Sequence, residues 1–218
     1  MILKNKFFHS VLASLFSLAL YAQTTPRLNY FDLREVRLLP GFFKHAEDLD
    51  INYLLEMDPD RLLAPFLREA SLPLKKESYT NWENTGLDGH IGGHYLSALA
   101  YMYASTGDRR IKERLNYMLD NLKRCQDANG NGYIGGVPGG QVIWAEVQQG
   151  KINAGSFNLN GKWVPLYNIH KTYAGLRDAY VLTGNESAKR MLIKMTDWAL
   201  KLVSQLSEAQ IQDMLRSE

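Results

Sequence analysis

Two histidines, His90 and His94, stand four residues apart in the stretch W-E-N-T-G-L-D-G-H-I-G-G-H-Y-L-S-A-L-A that begins at Trp82. On a helix that spacing places both rings on one face. An imidazole can donate to or accept from a hydroxyl, bind a metal, or carry a proton near neutral pH. The metal reading lacks the glutamate of an H-E-x-x-H site, so a third ligand would have to come from Asp88, Glu83 or a distant residue, and no metal is assigned to this chain. Trp82 offers a flat apolar face and Glu83 a carboxylate just upstream. Asp88 is placed to cap the helix, because a short carboxylate accepts from the free amides of a first turn. The structural alternative is that these polar groups only cap a tightly packed helix.

Other residues invite chemistry less strongly. Glycoside hydrolysis by two carboxylates needs a separated pair. Glu83 and Glu146 can be proposed, but both read equally well as surface or hydrogen-bonding residues. The single cysteine, Cys125, lies near the end of a helical stretch and reads as a small packing residue. The run D-A-N-G-N-G-Y-I-G-G-V-P-G-G from Asp127 is too glycine-rich to continue a helix. It lacks both the Lys-Ser/Thr ending of a phosphate loop and the strand–helix setting of a dinucleotide fingerprint. It is expected to be a shaped loop presenting Tyr133 at the rim of a groove. A further candidate, His170, stands in Y-N-I-H-K at the start of another helical stretch.

The elements that position these residues are helices. Apolar spacing predicts a helix over residues 42–57, and Pro59 opens another. A central small-residue helix follows Asp88, turning at Gly107 into a helix over 109–126. A short helix is expected over 141–149, with loop from 150 to 166. A second pair turns at Gly184, its second helix covering 186–206. The two pairs resemble each other: the shift that sets Leu99 on Leu176 also sets Tyr103 on Tyr180, Gly107 on Gly184, Leu115 on Leu192 and Met118 on Met195. Similar helical hairpins stack by burying their common faces, and short turns make neighbours antiparallel. Residues 207–218 begin a further helix without a terminal cap, which predicts truncation.

The chain has 218 residues, 45% hydrophobic and 22% charged, the range of a globular protein with one sizeable core. Residues 1–22 read as a secretory signal: Lys4 and Lys6 give a basic start, an apolar run follows, and Ala22 offers a cleavage point. The run is short for a membrane span. Without those two lysines the formal net charge of +2 falls to near zero, which removes the electrostatic case for nucleic acid or an anionic membrane. The expected organisation is a signal over 1–22, an extended lead-in over 23–41, and a helical domain over 42–218. The expected location is periplasmic or secreted.

Taken together, L-P-G-F-F from Leu39, the Trp82-Glu83 pair, D-G-H-I-G-G-H-Y-L-S-A-L-A from Asp88, D-A-N-G-N-G-Y-I-G-G-V-P from Asp127 and Y-N-I-H-K from Tyr167 carry a family resemblance. The chain resembles the N-terminal part of β-L-arabinofuranosidases of glycoside hydrolase families 127 and 146. The resemblance implies an all-α fold, here an incomplete (α/α)6 toroid of antiparallel hairpins. It implies action on arabinose-containing plant oligosaccharides or polysaccharides, through a cysteine nucleophile, a glutamate acid/base, and zinc held by cysteines and a glutamate. Those cysteine motifs lie downstream of the region resembled, Cys125 does not match them, and the chain alone is expected to be inactive. His170 is similar to a histidine that contacts the sugar at the start of an inner helix. His90, His94, Trp82, Glu83 and Tyr133 complete the expected substrate-binding set. The alternatives are another toroidal carbohydrate enzyme, such as an unsaturated-uronide hydrolase or a polysaccharide lyase, and a non-enzymatic carbohydrate-binding helical module.

Overall fold

The computed structural model describes residues 30–216. The segment read as a signal and residues 23–29 of the lead-in lie outside the described residues. The chain divides into Met1–Asp32 and Leu33–Glu218, and every element below belongs to the second unit. Leu33–Glu35 form a 3-10 turn within the stretch expected to be extended. Eight helices follow: α1 (Phe42–Glu56), α2 (Pro59–Glu69), α3 (His90–Thr106), α4 (Arg109–Asn129), α5 (Gly140–Gln148), α6 (Pro165–Thr183), α7 (Glu186–Val203) and α8 (Glu208–Leu215). The described chain is therefore all-α but for one small sheet. Among the described residues no helix is long and apolar enough to cross a membrane.

That sheet occupies the stretch expected to be loop. β1 (Ala154–Gly155), β2 (Asn158–Leu159) and β3 (Lys162–Trp163) pair antiparallel in chain order. Asn158 stands opposite Trp163, and Leu159 opposite Lys162. The turn between β2 and β3 is Asn160-Gly161, with φ of 49° and 79°. Positive φ at both positions suits a two-residue hairpin, for which Asn-Gly is a strong local signal. The signal is in the sequence, but strands of two residues leave no alternation to read.

The two matched hairpins are α3–α4 and α6–α7. Each first helix ends at a left-handed glycine, Gly107 (φ 72°) or Gly184 (φ 69°). Their amides donate to Tyr103 O and Tyr180 O, both at 2.8 Å. The next residue caps the returning helix in each: Asp108 accepts from Arg110 N, and Asn185 from Ala188 N. Leu99, Leu176, Leu115, Met118 and Met195 are all buried, and Leu192 packs partly buried against them.

α3 and α6 make the most extensive helix–helix packing in the unit. A side chain on Gly175 would come 2.6 Å from Gly93 O and 2.7 Å from Leu96 Cβ. A side chain on Gly93 would run into the backbone at Lys171 and Thr172. The small residues read along the central helix thus set the distance between α3 and α6. By contrast Phe42, Phe43, Leu49 and Tyr53 on α1 stay exposed, only Ile51 and Leu54 of that helix being buried.

Candidate functional site

The first turn of α3 is organised from outside the helix. Its N-cap, Gly89, has no side chain to offer. A 3-10 turn at Asn81–Asn84 sends two neighbours in opposite directions: Trp82 is 62% exposed and Glu83 is 3% exposed. Both oxygens of Glu83 serve the helix. Oε2 accepts from Gly89 N at 3.0 Å and Oε1 from Ile91 N at 3.1 Å. A carboxylate here satisfies amides that the helix itself leaves unpaired, at the positive end of its dipole.

This corrects the expectation for Asp88. Its carboxylate faces away from the helix, accepting from Gly86 N at 2.9 Å and pairing with Arg68 at 3.1 Å. Burial pushes this carboxyl above its ordinary range, against the opposing pull of the Gly86 amide and Arg68. The helix begins after Gly89, and the longer Glu83 side chain reaches its amides first.

Glu83 also fixes His90, which is buried. Its Nδ1 lies 2.7 Å from Glu83 Oε1 and 2.8 Å from Leu87 O. Two acceptors at one nitrogen assign the proton to Nδ1, so the neutral ring carries its lone pair on Nε2. The His90 ring centroid stands 6.1 Å from Trp82, 6.2 Å from His94 and 6.2 Å from Tyr167.

His94, one turn further on, is exposed, and its Nε2 lies 3.4 Å from Tyr167 Oη. Partial desolvation, helped by the nearby Lys171 ammonium and the neighbouring histidines, holds its pKa below the usual histidine value. The Lys171 ammonium sits 4.3 Å over the Tyr167 ring. His170 is exposed and lies near enough to His94 to influence it electrostatically.

Asn168 locks this arrangement. It is fully buried, and its Nδ2 donates to Leu87 O at 3.0 Å and Asp88 O at 2.7 Å. The start of α6 is thereby tied to the turn that opens α3. Leu87 O consequently joins His90 and Asn168, and the two helix starts lie at one end. Trp82, His90, His94 and Tyr167 form one polar-aromatic wall with His170 beside it. Tyr167, Asn168 and Lys171 were visible only as neighbours of His170 in Y-N-I-H-K; their roles depend on a helix contact that sequence spacing does not reveal.

Tyr133 is placed elsewhere. It is buried, its ring 4.9 Å from Trp198, and burial pushes its phenol pKa upward. It belongs to an aromatic cluster with Trp144 and Trp198 that floors a separate pocket, away from the α3–α6 end, rather than standing exposed at a groove rim. Glu146 accepts from Asn160 Nδ2 at 2.9 Å, beside the small sheet. Glu83 is committed to His90 and the α3 amides. Glu83 is therefore not free to act as an acid or base.

The zinc group implied by the resemblance can be tested against the donors present. Among the described residues no three His, Cys, Asp or Glu side chains converge to hold a metal. The one cysteine, Cys125, is buried, and desolvation pushes its thiol up to about 12. A buried thiol of that kind is neither a thiolate ligand nor a nucleophile near neutral pH. The residues of this chain do not fit a cysteine-rich zinc site.

Comparison with curated proteins gives no match. The family model described as β-L-arabinofuranosidase, GH127 catalytic domain, matches residues 35–218. Its span takes in both hairpins and every residue of the wall just described. The chain therefore belongs to the GH127 β-L-arabinofuranosidase catalytic-domain family, a family of glycoside hydrolases.

Proposed function

We propose that this chain supplies a sugar-recognition wall for cleavage of β-L-arabinofuranosides in plant glycans, and that it does not supply the attacking group. The observation that carries this reading is the convergence of Trp82, His90, His94 and Tyr167 where α3 and α6 begin. Imidazole and phenol groups suit a neutral sugar, since each can donate to or accept from a hydroxyl. A tryptophan face suits the C–H side of the ring. Buried Glu83 and Asn168 act as positioning residues, holding rotamers so that less ordering is needed on binding. The nucleophile and zinc ligands are assigned to residues outside this chain, because its only thiol is buried and unionised. The basic and apolar pattern of residues 1–22 supports export to the periplasm or beyond.

The test is a titration of the purified chain with methyl β-L-arabinofuranoside, followed by calorimetry and by the histidine ring signals in NMR. Binding should shift the His94 and His170 signals and weaken at least tenfold in His94→Ala, a change of about 1.4 kcal/mol. With zinc supplied, the chain alone should show no turnover. Zinc-dependent hydrolysis that disappears in Cys125→Ser would overturn the assignment of the attacking group. Sugar binding indifferent to His94 and His170 would overturn the wall.

A further inference from the structure

A second cavity lies where the end of α4 meets α5 and α7, and it shares no lining residue with the histidine wall. It measures about 350 Å³, within the size range of small-ligand sites. Tyr133, Trp144 and Trp198 form its aromatic floor, and the exposed side chains of Asn131, Gln148 and Lys201 stand among its polar walls. We propose that this cavity binds one uronate, a sugar acid whose carboxylate pairs with Lys201 and whose hydroxyls meet the Asn131 and Gln148 amides. The site is independent of the wall at the α3–α6 end, and it adds an acidic sugar to the neutral one proposed there.

Three observations carry it. First, the floor is built before any ligand arrives. The Trp198 ring stands 4.9 Å from Tyr133 and 5.8 Å from Trp144, and all three residues are buried. Gln126 Nε2 donates to Gly132 O at 2.8 Å and to Met191 O at 3.0 Å, which ties the loop after α4 to α7. A preformed floor lowers the ordering cost of binding. Second, Lys201 is the one charged residue lining the cavity, and among the described residues it has no ion-pair partner. An ammonium beside apolar walls attracts an anion more strongly than one in open water. A cation in the last turn of α7 also suits that helix's dipole, a local role that the test separates from binding. Third, hydrogen-bond donors are left over. Among the described residues the Gln148 amide has no partner, and Asn131 uses its Oδ1 on Tyr133 N at 3.0 Å, which leaves its Nδ2 free to donate. The Trp144 indole N–H in the floor is buried without a partner, the nearby Tyr133 hydroxyl standing out of bonding geometry. Such a set suits a ligand rich in oxygen. The aromatic rings are engaged with one another, so a flat aromatic acid gains little stacking, whereas a hydroxylated ring finds partners for its edge.

The test titrates the full chain with galacturonate, with galactose as the neutral control and benzoate as the flat aromatic acid, followed by calorimetry and by the tryptophan indole signals in NMR. Galacturonate should bind about tenfold more tightly than either control, and should shift the Trp144 and Trp198 signals but not those of Trp82 and Trp163. Lys201→Met should weaken it about tenfold, Lys201→Arg should retain it, and Gln148→Ala should weaken it about threefold. Lys201 and Gln148 are exposed, and thermal unfolding of each variant verifies that the fold is kept. A digalacturonate that binds as tightly or more so marks a glycan end as the source of the uronate; weaker binding marks the free sugar acid. Galactose or benzoate binding as well as galacturonate would overturn the uronate site. So would a Lys201→Met variant that loses stability but not binding, which would leave the lysine to the helix dipole alone. His94→Ala should leave galacturonate binding unchanged, and a loss there would move the sugar acid to the histidines and remove the second site.

Discussion

Helices α3 and α5 begin by the same device and arrive at different results. Each opens at a left-handed glycine without a side-chain cap of its own, Gly89 (φ 93°) and Gly139 (φ 71°). Each is capped by a glutamate from an earlier segment. Glu83 accepts from Gly89 N and Ile91 N, and Glu69 accepts from Gly139 N at 2.9 Å and Gln141 N at 2.7 Å. The positions correspond one for one: N-cap glycine, then His90 or Gly140, then Ile91 or Gln141. The residue between the two bonded amides makes the difference. At α3 it is a histidine, which the same carboxylate orients; at α5 it is a glycine, and the cap only closes a loop. A capping device becomes part of a site when the next side chain can use its second lone pair.

The largest effect should come from removing the shared part of the device. Glu83→Ala leaves buried amides and the His90 N–H without their acceptor, and should cost about 3–5 kcal/mol of unfolding free energy. Glu69→Ala removes a cap that is only half-buried and holds no histidine, so about 1–2 kcal/mol is expected. Urea unfolding of the two variants side by side measures the difference. Equal losses would mean that the His90 contact adds nothing and that the two helix starts are equivalent.

Transplanting the histidine position should fail, and a smaller probe can show why. A Cβ on Gly140 would stand 2.5 Å from Tyr133 Oη and 3.4 Å from Glu69 Oε1. Gly140→Ala should therefore destabilise by about 1–3 kcal/mol, as overpacking does in a filled core. Restored stability in the double variant Gly140→Ala with Tyr133→Phe would identify the hydroxyl as the obstruction. No recovery would place the strain in the backbone instead.

The contrast also marks what the sequence could express. Both hairpins were legible because each is local: an apolar stripe ending at Gly107 or Gly184, followed by Asp108 or Asn185 as a cap. The histidine pair was legible for the same reason, four residues on one helix. The cap was not. Asp88 stands at the customary distance from the helix, yet a 3-10 turn brings the carboxylate of Glu83 over the amides from further back. Tyr133 misleads in another way. Glycines on either side suggest an open loop, but Tyr133, Ile134 and Val137 are all buried, so the glycines mark close packing. Asn168 carries no local signal, since its partners are the Leu87 and Asp88 carbonyls far back in the chain. Contacts between elements, rather than within them, separate what was readable from what was not.

The smallest effect sharpens the comparison most, because the two helix starts should respond to pH with opposite sign. Burial raises the Glu69 pKa above its ordinary 4.5. A raised folded-state pKa gives a contribution fully present below 4.5 and lost as pH rises through the higher folded value. His94 runs the other way. Its pKa is lowered from 6.5, first by desolvation and then by the charges around it. Its contribution is present above 6.5 and is lost as pH falls through the lower folded value, because the unfolded ring takes up its proton first. Exposure of His94 to solvent keeps its effect small. The check is the difference in Tm between the parent chain and each of Glu69→Gln and His94→Gln, followed from pH 4 to pH 8. Relative to the parent, His94→Gln should gain stability as pH falls below about 6.5, while Glu69→Gln should gain as pH rises above about 4.5. Two curves moving in the same direction would show that one of these environments is not as desolvated as its packing implies. If only the His94 curve failed, the wall at α3 would be more open to water than the capped end of α5.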